Sequence, residues 1–174
     1  MTTQERRTAI LNAIQKSAQP ISAKVLAQQY KVSRQTIVGD IALLRAQGAQ
    51  IIATVSGYYD QTQTQQTMPY QAQVACQHNQ GQTELELTTI VGNGGRVIDV
   101  TVDHPLYGEL TGQLGIGTLT DVKGFMQKMA TMPHQKLLST LTDGIHLHTI
   151  ECASEQRFKQ IVAALKQINI YYNA

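Results

Sequence analysis

Two serines near the N-terminus, Ser22 and Ser33, each stand just ahead of a short apolar repeat, and the spacing between them fits two helices joined by a tight turn. A serine hydroxyl at the N-cap accepts a hydrogen bond from an amide that the first helical turn leaves unpaired. Ser22 can cap a helix running to about Tyr30 with Val25 and Leu26 on its inner face. Ser33 can cap a second helix in which Ile37, Ile41 and Leu44 recur at i, i+4 and i+7. With that stripe turned inward, Arg34, Gln35 and Thr36 lie on the exposed first turn beside Ser33. Upstream, Thr3 to Ser17 places Ile10, Leu11 and Ile14 at helical spacing. Downstream, Gln50 to Tyr59 alternates and turns around Ser56-Gly57, as a two-stranded wing does. Three helices and a wing make a winged helix-turn-helix. In that motif the second helix enters the major groove N-terminus first, and Arg and Gln match guanine and adenine edges. Ser33, Arg34, Gln35 and Thr36 are therefore the candidate DNA-binding residues.

Charge divides the chain at the same place. Residues 1–60 hold seven Lys and Arg against three acids, whereas residues 61–174 hold seven against nine, so the formal net charge of +2 conceals a basic first part. Phosphate neutralisation dominates non-specific affinity for DNA, so the contact with double-stranded DNA falls to the first part. Its basicity is modest, which favours binding as a homodimer. Asp60 to Met68 has no apolar residue before Met68 and reads as a linker. The expected organisation is a DNA-binding domain at 1–60, a linker at 61–68 and a second domain at 69–174. The start lacks an apolar signal core and no long apolar run occurs, so a soluble cytoplasmic protein without membrane contact is expected. Cys76 and Cys152 are too few for a disulfide framework and read as buried thiols.

The second domain alternates strand and helix signals. Strands are expected at Tyr70 to Cys76, Arg96 to His104, Gly112 to Leu119 and His146 to Cys152. Helices are expected at Thr83 to Gly92, from a Thr120 cap through Met129, and after a Ser154 cap, where Phe158, Ile161, Val162 and Leu165 form an apolar stripe. The fold class is α+β: a winged helix-turn-helix followed by an α/β-sandwich regulatory domain with helices on one face of a mostly antiparallel sheet.

All five histidines fall in this second part. His146 and His148 flank Leu147 in a strand signal, where i and i+2 point to one face about 6.5 Å apart, close enough to share an ion. His78, at the end of the first strand, and Glu86, eight residues on, are candidates to complete the set. Two other readings of these positions stay open. Thr83-Glu-Leu-Glu86 has the form of a capping box, and Cys76 is a rival soft ligand. His104 and Tyr107, in Asp103-His-Pro-Leu-Tyr-Gly-Glu109, sit at a strand end where a loop can line a pocket. His134 reads as a surface residue.

Taken together, Val32-Ser-Arg-Gln-Thr-Ile37, His78, Glu86, His104-Pro-Leu-Tyr-Gly108 and Leu141-Thr-Asp-Gly-Ile-His-Leu-His-Thr149 resemble the niacin-responsive transcriptional repressors, whose C-terminal half is a three-histidine domain. The likeness runs from about Gln4 to Leu165. It implies repression of genes for NAD biosynthesis or niacin uptake, with nicotinic acid as co-repressor. It also implies a divalent metal on His78, Glu86, His146 and His148, with His104 in the ligand pocket or supporting it; the mixed imidazole and carboxylate donors suit Ni, Zn, Mn or Fe. Gly39, in the middle of the second helix of the motif, departs from the longer polar side chain usual there and costs about 1 kcal/mol of helix propensity against Ala. The chain thus reads as a regulator and not an enzyme, and a Walker-type glycine loop is missing from its sequence. A direct metal-sensing repressor and a metal-dependent enzyme fused to a DNA-binding domain are the alternatives.

Overall fold

The computed structural model describes residues 1–62 and 68–173. The chain divides into two compact units, Met1–Gln66 and Thr67–Ala174. Residues 63–67 of the stretch read as a linker lie outside the described residues.

The first unit holds helices α1 (Thr3–Lys16), α2 (Ala23–Tyr30) and α3 (Arg34–Ala46) and the strands β1 (Ile51–Ala53) and β2 (Tyr58–Asp60). Ser22 caps α2 through the amide of Val25, and Ser33 caps α3 through that of Thr36. Thr2 and Glu5 close a reciprocal capping box on α1. Lys31, in the left-handed conformation, ends α2 and turns the chain into α3. Ile10, Ile14, Leu26, Ile37, Ile41, Leu44 and Ile51 make one core. On α2 the packed face is Ala23, Leu26, Ala27 and Tyr30, the i, i+3, i+4, i+7 set, so Val25, expected inside, is 49% exposed instead. β1 and β2 pair antiparallel as the wing, and Tyr58 also bridges to Ile21. Gly57 permits that closure: its φ is +140°, and a Cβ there would collide with the main chain of Ile21.

A buried carboxylate locks this unit. Asp40 lies on α3 among the core residues, 3% exposed, and accepts from Arg6 Nε at 2.7 Å, Arg6 Nη2 at 3.3 Å and Arg7 Nε at 3.1 Å. Two of the seven cations counted as basic surface are therefore spent internally, leaving Lys16, Lys24, Lys31, Arg34 and Arg45 exposed.

In the second unit, β3 (Tyr70–Gln77), β4 (Arg96–His104), β5 (Gly108–Ile116) and β6 (Ile145–Cys152) form an antiparallel sheet in the order β3-β6-β4-β5, accompanied by α4 (Thr83–Gly92), α5 (Leu119–Thr131) and α6 (Glu155–Gln167). α4 packs on β4, α5 and α6, and α6 packs on β3 and β6. Val74 and Cys76 of β3 and His146, His148 and Ile150 of β6 share one buried face, following the alternation of the strands. After α6 the chain returns to the outer edge of β3, where Tyr171 bridges to Cys76 and the amide of Tyr172 donates to the carbonyl of Ala75.

Three expectations are corrected here. β5 runs from Gly108 to Ile116 and not from Gly112 to Leu119, because the hairpin turns at Pro105 to Tyr107 and the strand pairs with β4 from its first residue. α5 is capped by Thr118 and not Thr120, since Asp121 completes a capping box with Thr118. Glu86 does not close a capping box on α4: Gln82 holds the cap position without a side-chain hydrogen bond, and Thr83 is already helical.

Burial by itself would push the Asp40 carboxyl up, but the hydrogen bonds and charges of Arg6 and Arg7 outweigh it and hold the group below its ordinary range. With its folded value depressed, the stabilisation is present above the unfolded value and is lost as pH falls through the folded one. Asp40→Asn is expected to destabilise the first unit by about 1–2 kcal/mol at neutral pH, with the gap from wild type closing below about pH 4. Urea melts at pH 7 and pH 3 check both parts.

Candidate functional site

The second unit brings four of the candidate residues to one point. His78 follows the last residue of β3, Glu86 projects from α4, and His146 and His148 lie on one face of β6. His78 Nε2 is 2.8 Å from Glu86 Oε2, His146 Nε2 is 3.1 Å from Oε1, and His148 Nε2 is 3.3 Å from Oε2. Glu86 is 1% exposed, and the His146 ring sits edge-on to both other imidazoles, with centroids 5.0 and 4.8 Å away.

The far side of each ring is fixed in the same way. His78 Nδ1 lies 2.7 Å from the carbonyl of Asn79, His146 Nδ1 2.8 Å from that of Gly144, and His148 Nδ1 2.6 Å from that of Asp99. A carbonyl only accepts, so each Nδ1 carries a proton and each Nε2 is left facing Glu86. Neutral rings held this way aim three lone pairs at a carboxylate, which is repulsive unless a proton or a cation lies between. Three imidazoles, one carboxylate and ring orientations fixed from behind suit a divalent transition ion. A second grouping overlaps this one: donor atoms of Cys76, Glu86 and His146 all lie within 4.8 Å of one another. Glu86 and His146 belong to both.

Two supports were not foreseen from sequence. β4 slips register against both neighbours between Val97 and Thr101, and the bulge frees the carbonyl of Asp99 for His148 while its carboxylate accepts the amide of Thr149 at 3.1 Å. Gly144 adopts φ +87°, and a Cβ there would collide with the His78 main chain. The glycine in Asp143-Gly-Ile-His is thus what lets β6 begin close enough for His78 and His146 to meet. The glycine was visible as part of a specific string, but the bulge left no local signal.

Beside His78 opens a cavity of about 420 Å³ lined by Gln77, His78, Asn79, Gln80, Ser139, Thr140, Asp143 and Gly144. His104 and Tyr107 are not among its lining residues. They stack on one another at 5.0 Å in the β4–β5 hairpin, where His104 Nδ1 accepts the amides of Leu106 and Tyr107, and Tyr107 is 70% exposed. His134 is exposed. In the first unit, Ser33 is occupied as a cap and its hydroxyl lies 2.9 Å from that of Thr36, leaving Arg34 and Gln35 exposed at the start of α3.

Burial opposes charge on His78 and His148, but the Glu86 carboxylate overcomes it, and both rings hold protons more tightly than free imidazole does. Burial would likewise raise Glu86, yet the charge of His148 and hydrogen bonds from all three rings keep it well below the usual carboxylate range. For the two histidines the folded value is raised, so their contribution to stability is complete below the unfolded value of about 6.5 and is lost as pH rises through the folded one. Chelator-treated protein is expected to melt at progressively lower temperature as pH is raised from about 6 to about 9. Metal-loaded protein should not follow that trend, because bound ion requires the unprotonated rings. Separately, Asp99→Ala keeps the carbonyl that holds His148 but removes the acceptor for Thr149, so if the cluster is loaded it should weaken metal affinity by no more than about 10-fold, with Asp99→Asn restoring most of the loss; equilibrium dialysis reads both.

The sequence matches the family described as the 3H domain over residues 71–174 and an HTH domain over residues 6–59. It is 40% identical to the Transcription repressor NadR of Bacillus subtilis (strain 168) over 166 residues, covering 95% of this chain and 92% of that protein. It is 38% identical to the Probable transcription repressor NiaR of Thermotoga maritima over 164 residues, covering 94% and 91%.

Proposed function

We propose, from the premise that this chain belongs to the 3H-domain family of helix-turn-helix transcription repressors, that it represses genes of NAD biosynthesis or niacin uptake. In this reading it binds operator DNA as a homodimer, with nicotinic acid as co-repressor and a divalent metal in the 3H unit. The observation that carries the metal part is the convergence of three Nε2 atoms on Glu86, each ring held from behind by a main-chain carbonyl.

His78, Glu86, His146 and His148 would hold the ion. When bound, it supplies a Lewis-acidic centre able to accept a nitrogen or carboxylate donor. The cavity beside His78 is of a size that small ligands occupy, and its lining has no Lys or Arg. Positive charge to meet a pyridine carboxylate must therefore come from the histidine cluster, which favours the acid over neutral nicotinamide once the ion is in place. Asp143 in the same lining works against an anion and sharpens the dependence on that cluster.

In the first unit Arg34 and Gln35 would read base edges, and Lys16, Lys24, Lys31 and Arg45 are exposed for the backbone. A dimer that sets two recognition helices about 34 Å apart matches half-sites one helical turn apart. Nicotinate tightens binding only by favouring that arrangement over others.

The test is operator affinity at fixed salt, measured with metal present, with and without nicotinic acid, and after chelation. Nicotinate is expected to tighten binding, chelation to abolish the effect, and His146→Ala to lose it while keeping basal DNA binding. Full affinity with metal alone would instead favour a direct metal-sensing repressor. Arg34→Ala should weaken binding by about 1–3 kcal/mol and relax sequence preference at one operator position, which a mismatch series detects.

A further inference from the structure

Cys76 does not sit in the surroundings of an ordinary core thiol. It lies on β3 directly opposite His146 in the sheet register, so the two side chains emerge as neighbours on the face that carries the histidine cluster. Its sulfur, a Glu86 carboxylate oxygen and a His146 ring nitrogen all fall within 4.8 Å of one another. The residue is fully buried, with Tyr171 bridged to it from the outer edge of β3.

The chain carries its own contrast. Cys152 is also fully buried and lies on the same face of β6, but its sulfur is 3.2 Å from the carbonyl of Ser154, to which it donates, and it is not one of the grouped donors. At tetrahedral angles, donor atoms sharing one ion at bond lengths of about 2.0–2.3 Å stand roughly 3.3–3.8 Å apart. The donors of Cys76, Glu86 and His146, within 4.8 Å of one another, reach a shared coordination sphere by closing in by up to about 1 Å.

We propose that Cys76 is a further donor to the metal centre, a thiolate that biases the site towards borderline and soft divalent ions such as Zn, Co or Ni over hard ions such as Mg or Mn. This rests on the reading that the His–Glu cluster holds a metal. It adds a specificity determinant that imidazole and carboxylate do not provide, since those donors suit nearly every ion of the divalent series. The thiol proton leaves to solvent as the ion enters, so no co-reactant is needed.

Cobalt(II) alone, added to chelator-treated full-length protein, tests this through its absorption spectrum. The expected result is uptake of cobalt with a near-ultraviolet thiolate-to-cobalt charge-transfer band that is retained in Cys152→Ser and missing from Cys76→Ser. Competition dialysis should show the preference for zinc over manganese falling about tenfold or more in Cys76→Ser, since lesser outer-sphere changes already cost that much. Uptake of cobalt by the wild-type chain without such a band overturns the proposal while leaving the His–Glu metal centre intact, and this outcome needs no variant to fold. Failure of the wild-type chain to take up cobalt, zinc or nickel overturns both the proposal and the metal reading beneath it.

Discussion

Glu86 is an ionised carboxylate with almost no access to water, and a charge in that position is strongly destabilising unless it is compensated in place. The compensation comes from three imidazoles, and much of the local architecture is what it takes to deliver them. The register that sets Cys76 opposite His146 and Val74 opposite His148 puts both β6 rings on the helical face. The β4 bulge turns the carbonyl of Asp99 towards His148, Gly144 lets β6 begin against the His78 main chain, and α4 lowers Glu86 onto the result. Without a cation these parts share protons; in the proposed reading the same parts would be a ligand set.

The first unit contains a second buried carboxylate, and the comparison shows what the imidazoles contribute. Asp40 is satisfied by Arg6 and Arg7, whose guanidinium groups stay charged at any physiological pH and leave no lone pair for a ligand. That pairing fixes α1 against α3. Imidazole can release its proton and coordinate, so the same device built from histidine becomes a place where a ligand exchanges with protons. One buried acid therefore ties α1 to the helix that would read DNA, and the other would, in the proposed reading, make its surroundings responsive to a bound ion.

What could be read from the sequence follows from range. The caps at Ser22, Ser33 and Ser154 and the apolar stripes of α3 and α6 are local, and they place the helices within a residue or two. Misreadings came where two local signals competed: Thr118 and Thr120 both stand at the start of α5, and the glycines of β5 hid its first half. Thr83-Glu-Leu-Glu86 looks like a capping box because the spacing is right, but tertiary pairing with residues some sixty positions away takes the carboxylate instead. For the site, the Leu-Thr-Asp-Gly-Ile-His-Leu-His string and the resemblance it carries nominated His78, Glu86, His146 and His148, which the fold gathers around one carboxylate. The Asp99 bulge and the Arg6–Asp40–Arg7 lock depend on contacts between distant segments and had no signature to find, whereas Cys76 was legible as a rival ligand from its place two residues before His78. His104 and Tyr107 were legible as a special turn; their mutual stacking in the hairpin depends on a backbone course that spacing does not define.

Anomalous diffraction from crystals of the purified, unchelated protein, collected across the absorption edges of nickel, zinc, iron and manganese, tests the central claim most directly. The account predicts a single strong anomalous peak in each 3H unit, within bonding distance of Nε2 of His78, His146 and His148 and of a Glu86 oxygen, and it identifies the ion by its edge. A fully metal-supplied crystal in which Glu86 still contacts the three rings directly, with no anomalous peak among them, would contradict it and leave the cluster as a proton-sharing structural network.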